Sequence, residues 1–140
     1  MYMCLNSDRL FPKKAKVDII CYKALNISDN GKYHITPYIK TEINKDEKSI
    51  IGYRMKSNML EFIFHMTYCL IRLIFGHSHL YPFEIGEGFI HTVYEKRYIN
   101  YYRLPHTDLI YRCIIPKGTL YYEDEYSYSS RSIIFIEKVR

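Results

Sequence analysis

The spacing of apolar and polar positions changes character once along the chain. From Asn58 to Gly76 (NMLEFIFHMTYCLIRLIFG) the polar residues Glu61, His65, Tyr68 and Arg72 recur at steps of four, three and four. At helical periodicity they fall on one narrow stripe, and apolar side chains fill the rest of the circumference. Asn58 followed by Glu61 has the spacing of a capping box, and Gly76 stands where a left-handed turn closes a helix. The pattern predicts a helix over about residues 59–75. A helix this apolar is expected to be buried as the scaffold under a sheet, with its polar stripe as the one wet edge. Should its apolar faces stand exposed instead, the helix itself becomes a binding site or dimer interface. As a membrane span it falls short of about 20 apolar residues. It also carries Glu61, His65 and Arg72 on one side, where mid-bilayer charge is costly.

Elsewhere the pattern is of short extended runs. Lys16–Leu25, Tyr33–Ile43, Ser49–Met55, Phe89–Tyr94, Leu109–Ile115, Thr119–Tyr122 and Arg131–Val139 are rich in β-branched and aromatic residues and read as strands. Residues 1–15 read as a short strand or loose arm, and Glu95–Arg103 as a short helix or irregular segment. Residues 77–88 and Glu123–Ser130 read as loops. The order predicts an α+β fold, a mainly antiparallel sheet packed on one central buried helix, in a single domain over residues 1–140.

Composition narrows the function classes only a little. A hydrophobic share of 48% and a charged share of 25% are those of a folded chain and exclude global disorder. The 16 tyrosines, with no tryptophan, suit half-buried strand positions and binding surfaces. The net charge of +5 is dispersed, which favours acidic partners without forming a dense nucleic-acid patch. Cys4, Cys21, Cys69 and Cys113 have no C-x-x-C spacing, and no apolar leader run opens the chain. They read as reduced, buried thiols of a cytoplasmic protein.

Three constellations carry candidate chemistry. His77 and His79, with Glu84 and His106, form the first, since H-x-H sets two imidazoles on one side of an extended segment. HSHLYPFE is similar to the first cupin motif, and IPKGTLY to the P-x-G core of the second. Tyr121 stands where the second motif has histidine, Ile110 where it has glycine, and a long helix directly precedes the H-x-H. The plain alternative is a solvated loop beside the helix C-terminal dipole. An ADP-ribosyltransferase-like site would draw on His91, Tyr94 and Glu123 or Glu125, without a glycine-rich dinucleotide loop. The third is Tyr94, Lys96, Arg97, Tyr98, Tyr101, Tyr102 and Arg103, where rings and cations alternate. That composition suits a protein interface, a single-stranded nucleic acid or a solvated connector. No P-loop, zinc-finger spacing or nucleophile elbow is present, and Cys69 in mid-helix is expected to be inert.

GFIHTVYE at Gly88–Glu95, IYRCIIPKGTLYYED at Ile110–Asp124 and SSRSIIFIEKV at Ser129–Val139 resemble a pattern in small accessory proteins of bacteriophages and prophages. There an extended segment ending I-P-K-G-T-x-Y-Y precedes an acidic turn and a last strand. The resemblance implies a phage or mobile-element accessory role, in a host cytoplasm. Its motif is structural: Pro116 and Gly118 shape a turn, and Thr119, Tyr121 and Tyr122 follow as strand. The expected function is a non-catalytic binding protein without cofactor that occupies a surface of another macromolecule, for example a host nuclease or defence complex. A protein partner leads, nucleic acid and self-association stay open, and no membrane is expected.

Overall fold

The extended runs become strands that pair only with one another, in antiparallel fashion throughout the described residues. The computed structural model describes residues 5–7, 9–27, 34–35, 42–43, 45, 48–76, 83–86, 88–102 and 109–139, without the side chains of residues 5–7, 34, 35, 42, 83, 84 and 100–102. The strands are β1 (Leu5–Ser7), β2 (Lys13–Lys14), β3 (Ile19–Ile27), β4 (His34–Ile35), β5 (Glu42–Ile43) and β6 (Arg54–Lys56). After helix α1 (Met59–Ile74) come β7 (Phe83–Ile85), β8 (Ile90–Val93), a 3-10 helix (Lys96–Tyr102), β9 (Leu109–Ile115), β10 (Leu120–Glu123), β11 (Ser127–Ser130) and β12 (Ser132–Lys138). The main sheet runs β2-β10-β11-β8-β3-β9-β12-β6, β4 and β5 continue from β3, and β1 pairs with β7 apart from it. The protein is therefore α+β, a mostly antiparallel sheet with a single α-helix among the described residues.

Local chemistry explains the joints. Between β9 and β10 the Thr119 N–H reaches the Pro116 carbonyl at 3.1 Å, and Gly118 takes a φ of 90°. A positive φ at the third residue of such a turn favours glycine, so the P-K-G-T turn forms where the sequence predicts it. Glu123–Ser130, expected as a loop, instead contains β11, which pairs with both β10 and β8. Its serines are small enough to be fully buried between neighbours, and their hydroxyls find partners. Ser130 Oγ donates to the Ser132 carbonyl at 3.2 Å, and Ser129 Oγ meets His91 Nδ1 at 3.0 Å. Polarity alone misread this segment. The third predicted strand shrinks to Arg54–Lys56, because residues 48–52 turn and Gly52 has a φ of 86°.

The sheet curls on itself. Tyr121 from β10, near one end of the strand order, shares one cluster with Ile133 and Phe135 from β12, near the other. Leu109, Tyr111, Cys113 and Ile115 of β9 and Cys21 and Leu25 of β3 complete this main core. The Arg131 N–H, just before β12, donates to the Leu120 carbonyl of β10 at 3.0 Å and draws the two ends together. Alternation of side chains sends the other face outward. There Ala24, Val93 and Ile110 pack under Ile99 of the 3-10 helix, while Phe89 and Tyr122 lie under α1.

This arrangement reverses the expected role of α1. The helix does not cover the main core, because the sheet encloses that core itself. Cys69 is its one buried residue, whereas Leu60, Ile63, Phe64, Leu70, Ile71 and Ile74 are all exposed. The stripe predicted to be wet largely turns inward: Glu61, His65 and Arg72 are half-buried, and only Tyr68 is exposed. The physical reason lies below the helix, where Tyr122 of β10 offers a hydroxyl to His65 and Leu10, in the bend before β2, offers a carbonyl to Cys69. No helix among the described residues is long and apolar enough to cross a membrane.

Candidate functional site

The two sides of α1 differ in chemistry, and the inner side explains how the outer is presented. At its start, Asn58 Oδ1 accepts the Glu61 N–H at 3.1 Å, as the capping pattern predicts. Gly88 comes so close that a Cβ built on it would lie 2.8 Å from the Phe62 Cα and N. Only a residue without a side chain lets the turn before β8 pass there. Arg131 holds the same end, bonding Ser57 Oγ and stacking its guanidinium 4.0 Å from the Phe62 ring centroid. Phe62 in turn meets Phe89 edge to face, with centroids 5.7 Å apart.

Midway along, a polar cluster fixes the helix to β10. The Tyr122 hydroxyl donates to the Leu10 carbonyl at 2.7 Å. Its oxygen is 2.7 Å from His65 Nε2, which must then be the donor. Cys69 Sγ donates to the same carbonyl at 3.1 Å and lies 3.5 Å from His65 Nε2. A cysteine and a histidine at this separation have the geometry of a nucleophile and base. The surroundings remove that chemistry. Burial raises the Cys69 thiol above its ordinary pKa and lowers that of His65, while the sulfur is fully enclosed with its proton committed. A neutral thiol without access attacks nothing. The cluster is an anchor.

The outer side is apolar from end to end. Leu60, Ile63, Phe64, Leu70 and Ile71 are each about half exposed, and Ile74 is 75% exposed. The one hydroxyl among them, on Thr67, donates back to the Ile63 carbonyl at 2.9 Å and leaves its methyl outward. These positions follow a three–four spacing, the signature of a helix face that meets another surface. Reading the polar stripe as the wet edge missed them. The available signal was that His65 and Cys69, four residues apart, can satisfy each other and a sheet.

The residues singled out in the sequence are dispersed. His77, His79, His106 and Arg103 lie outside the described residues, as do the side chains of Glu84, Tyr101 and Tyr102. Among the described residues no cluster of three or more His, Cys, Asp or Glu could hold a metal ion. Tyr94 donates to Glu123 Oε1 at 2.7 Å and its ring lies 4.4 Å from that of Tyr128. Lys13 pairs with Glu123 at 2.8 Å, and these two bonds hold the Glu123 carboxyl below its ordinary pKa. His91 is buried on the opposite sheet face from Tyr94, so the two do not form one site. Arg97 pairs with Glu95 and covers the Tyr98 ring, which rests against Tyr126, while Lys96 is exposed. The Tyr/Arg segment thus finds many of its contacts within the chain. Cys21, Cys69 and Cys113 are free and buried, burial pushing the Cys21 thiol up to about 12. Cys4 lies outside the described residues.

The chain matches no family model, no curated protein and no solved structure. Its functional reading therefore rests on the helix and what surrounds it.

Proposed function

We propose that this protein is a non-catalytic binding protein that acts by laying the outer face of α1 against another polypeptide. The phage or mobile-element accessory role implied by the C-terminal resemblance accords with such an activity. One observation carries the reading: a contiguous apolar helix face is exposed while the polar groups beneath it are satisfied. Monomers seldom leave an apolar patch beyond about 300–600 Å² uncovered, and larger ones mark interaction surfaces. Helices that dock in this way present anchors at steps of three and four. No described side chain on α1 supplies the combination of access, nucleophile and base that catalysis needs.

The test is site-specific photocrosslinking in cells that express the protein, with a benzophenone amino acid at Phe64 or, as control, at Lys48. Both positions are exposed. Phe64 should yield discrete polypeptide adducts and Lys48 should not. Equal yields from both positions, or lipid adducts alone from Phe64, would overturn the reading.

A further inference from the structure

We infer that the polypeptide covering α1 is a second copy of this chain, paired antiparallel about a two-fold axis at Thr67. This rests on the proposed use of the helix as a docking face and names its occupant.

The helix spans Met59–Ile74, and Thr67 lies at the middle of both its length and its exposed face. Rotating the helix by half a turn about an axis through Thr67 places Leu60 against Ile74, Ile63 against Ile71 and Phe64 against Leu70. Every one of these positions is apolar and exposed. An isologous contact demands this property, that one patch be complementary to itself. Thr67 also suits the axis. It is the smallest side chain in the set, and its hydroxyl is already committed to the Ile63 carbonyl. Two helices can therefore approach there without burying an unsatisfied polar atom.

Area and charge agree. The six apolar side chains of this face are exposed, from Ile71 at 48% to Ile74 at 75%. At roughly 100 Å² apiece they offer about 600 Å² per copy, or ~1,200 Å² for the pair, which reaches the lower end of the range of specific interfaces. No charged side chain belongs to the seam, so two copies bring no like charges together. Glu61 and Arg72 are half-buried and fall off this face, Arg72 lying over the Tyr68 ring. The three–four spacing fits left-handed pairing at about 20°, with axes about 8–10 Å apart. A membrane surface fits less well. Interfacial helices carry a lysine- and arginine-rich polar face, whereas α1 has Arg72 as its one lysine or arginine and spends its polar side on Tyr122 and the Leu10 carbonyl.

Sedimentation velocity of the full chain from 1 to about 100 µM, a range that spans ordinary dimer affinities, should show a monomer–dimer equilibrium. Phe64→Lys should weaken it by about 30-fold or more, as loss of a central anchor does. Geometry is read by disulfide trapping with oxidised glutathione, beside the parent protein under the same treatment. Thr67→Cys should cross-link to itself. Leu60→Cys and Ile74→Cys should cross-link when mixed but neither alone. Self-linking at Leu60→Cys or Ile74→Cys would mean a parallel pair and overturn the axis. A monomer at every concentration would overturn the second copy. If Phe64 still photocrosslinks to a different polypeptide, the docking reading stands without it. Binding to anionic phospholipid vesicles by a monomer that gives no polypeptide adduct would overturn both.

Discussion

Tyr111, Cys113, Ile115, Ile133 and Phe135 inside the curled sheet are fully enclosed, while Leu60, Ile63, Phe64, Leu70 and Ile74 on α1 stand half exposed or more. The residue types are alike. What differs is the geometry of the element that carries them. A curling sheet brings its own two ends over one face, so that face needs no helix. A helix has one contact side, and here that side went to Cys69, His65 and Phe62, which meet Leu10, Tyr122 and Phe89. The larger apolar face was left outward. Apolar content alone therefore does not establish burial; an available covering surface does.

The sharpest way to break the comparison is to truncate one ring in each region. Phe135→Ala should cost about 3–5 kcal/mol, the range for aromatic truncation in a closed core. Phe64→Ala, measured at concentrations low enough to keep the protein dissociated, should stay within about 0.5 kcal/mol, as exposed sites do. Urea unfolding of both variants decides it. Comparable losses would mean that the outer face is covered within the monomer.

Next in size is the close approach that seats the helix. Gly88→Ala adds a methyl 2.8 Å from the Phe62 backbone, which neither backbone can absorb without shifting. The expected cost is about 1–3 kcal/mol, as for overpacking. The matching control is Gly86→Ala, whose Cβ would meet nothing within 4 Å. Equal unfolding midpoints for the two variants would show that the helix is not seated on Gly88.

Much of this was legible in the residues. The P-K-G-T turn, the β9 run at Leu109–Ile115 and the cap at Asn58 follow from local chemistry, since one residue type or one short alternation decides each. The curl of the sheet was not legible. It depends on pairings between β3 and β9, or β10 and β11, whose partners are set by the whole topology. The misjudged helix face follows from that same gap. With the sheet taken as an open layer, the apolar side of α1 had to cover it. With the sheet curled over its own core, the side able to hydrogen-bond Tyr122 went inward. The serines of β11 failed for a related reason, because a polar run reads as a loop until its neighbours are known.

Acid should probe the polar layer that separates the two regions. His91 and Ser129 share a register row with Tyr122 on the sheet face below α1. Burial first, and then the nearby Lys23 amine, lower the His91 pKa from 6.5 to about 3. The folded pKa lies below the unfolded one, so the unfolded chain takes up the proton first as pH falls. The contribution is complete above pH 6.5 and is lost progressively toward pH 3. The slope is at most about 1.4 kcal/mol per pH unit for one such group. Urea midpoints between pH 7 and 5 should therefore fall, while the native His91 ring resonances stay fixed by NMR. A His91 signal that titrates near its ordinary pKa would place the ring in contact with water and open the layer.

The smallest effect tests what holds the helix down. Tyr122→Phe removes the hydroxyl that donates to the Leu10 carbonyl and accepts from His65 Nε2. The carbonyl keeps a donor, because Cys69 Sγ reaches it at 3.1 Å. His65 keeps a weak acceptor in the same sulfur, 3.5 Å away. The ring still stacks edge to face with Phe89, at 5.2 Å between centroids, so packing is retained. With both former partners partly satisfied, the loss should be about 1 kcal/mol, near the net worth of one hydrogen bond. Cys69 should still resist alkylation in the folded protein, since its enclosure does not depend on that hydroxyl. A loss above about 3 kcal/mol, of the size left by an unsatisfied buried group, would mean that the polar cluster, and not Phe62 on Phe89, is the principal hold on α1. The outer face would then be presented by hydrogen bonds, and its orientation, together with any pairing through Thr67, should weaken in the same variant.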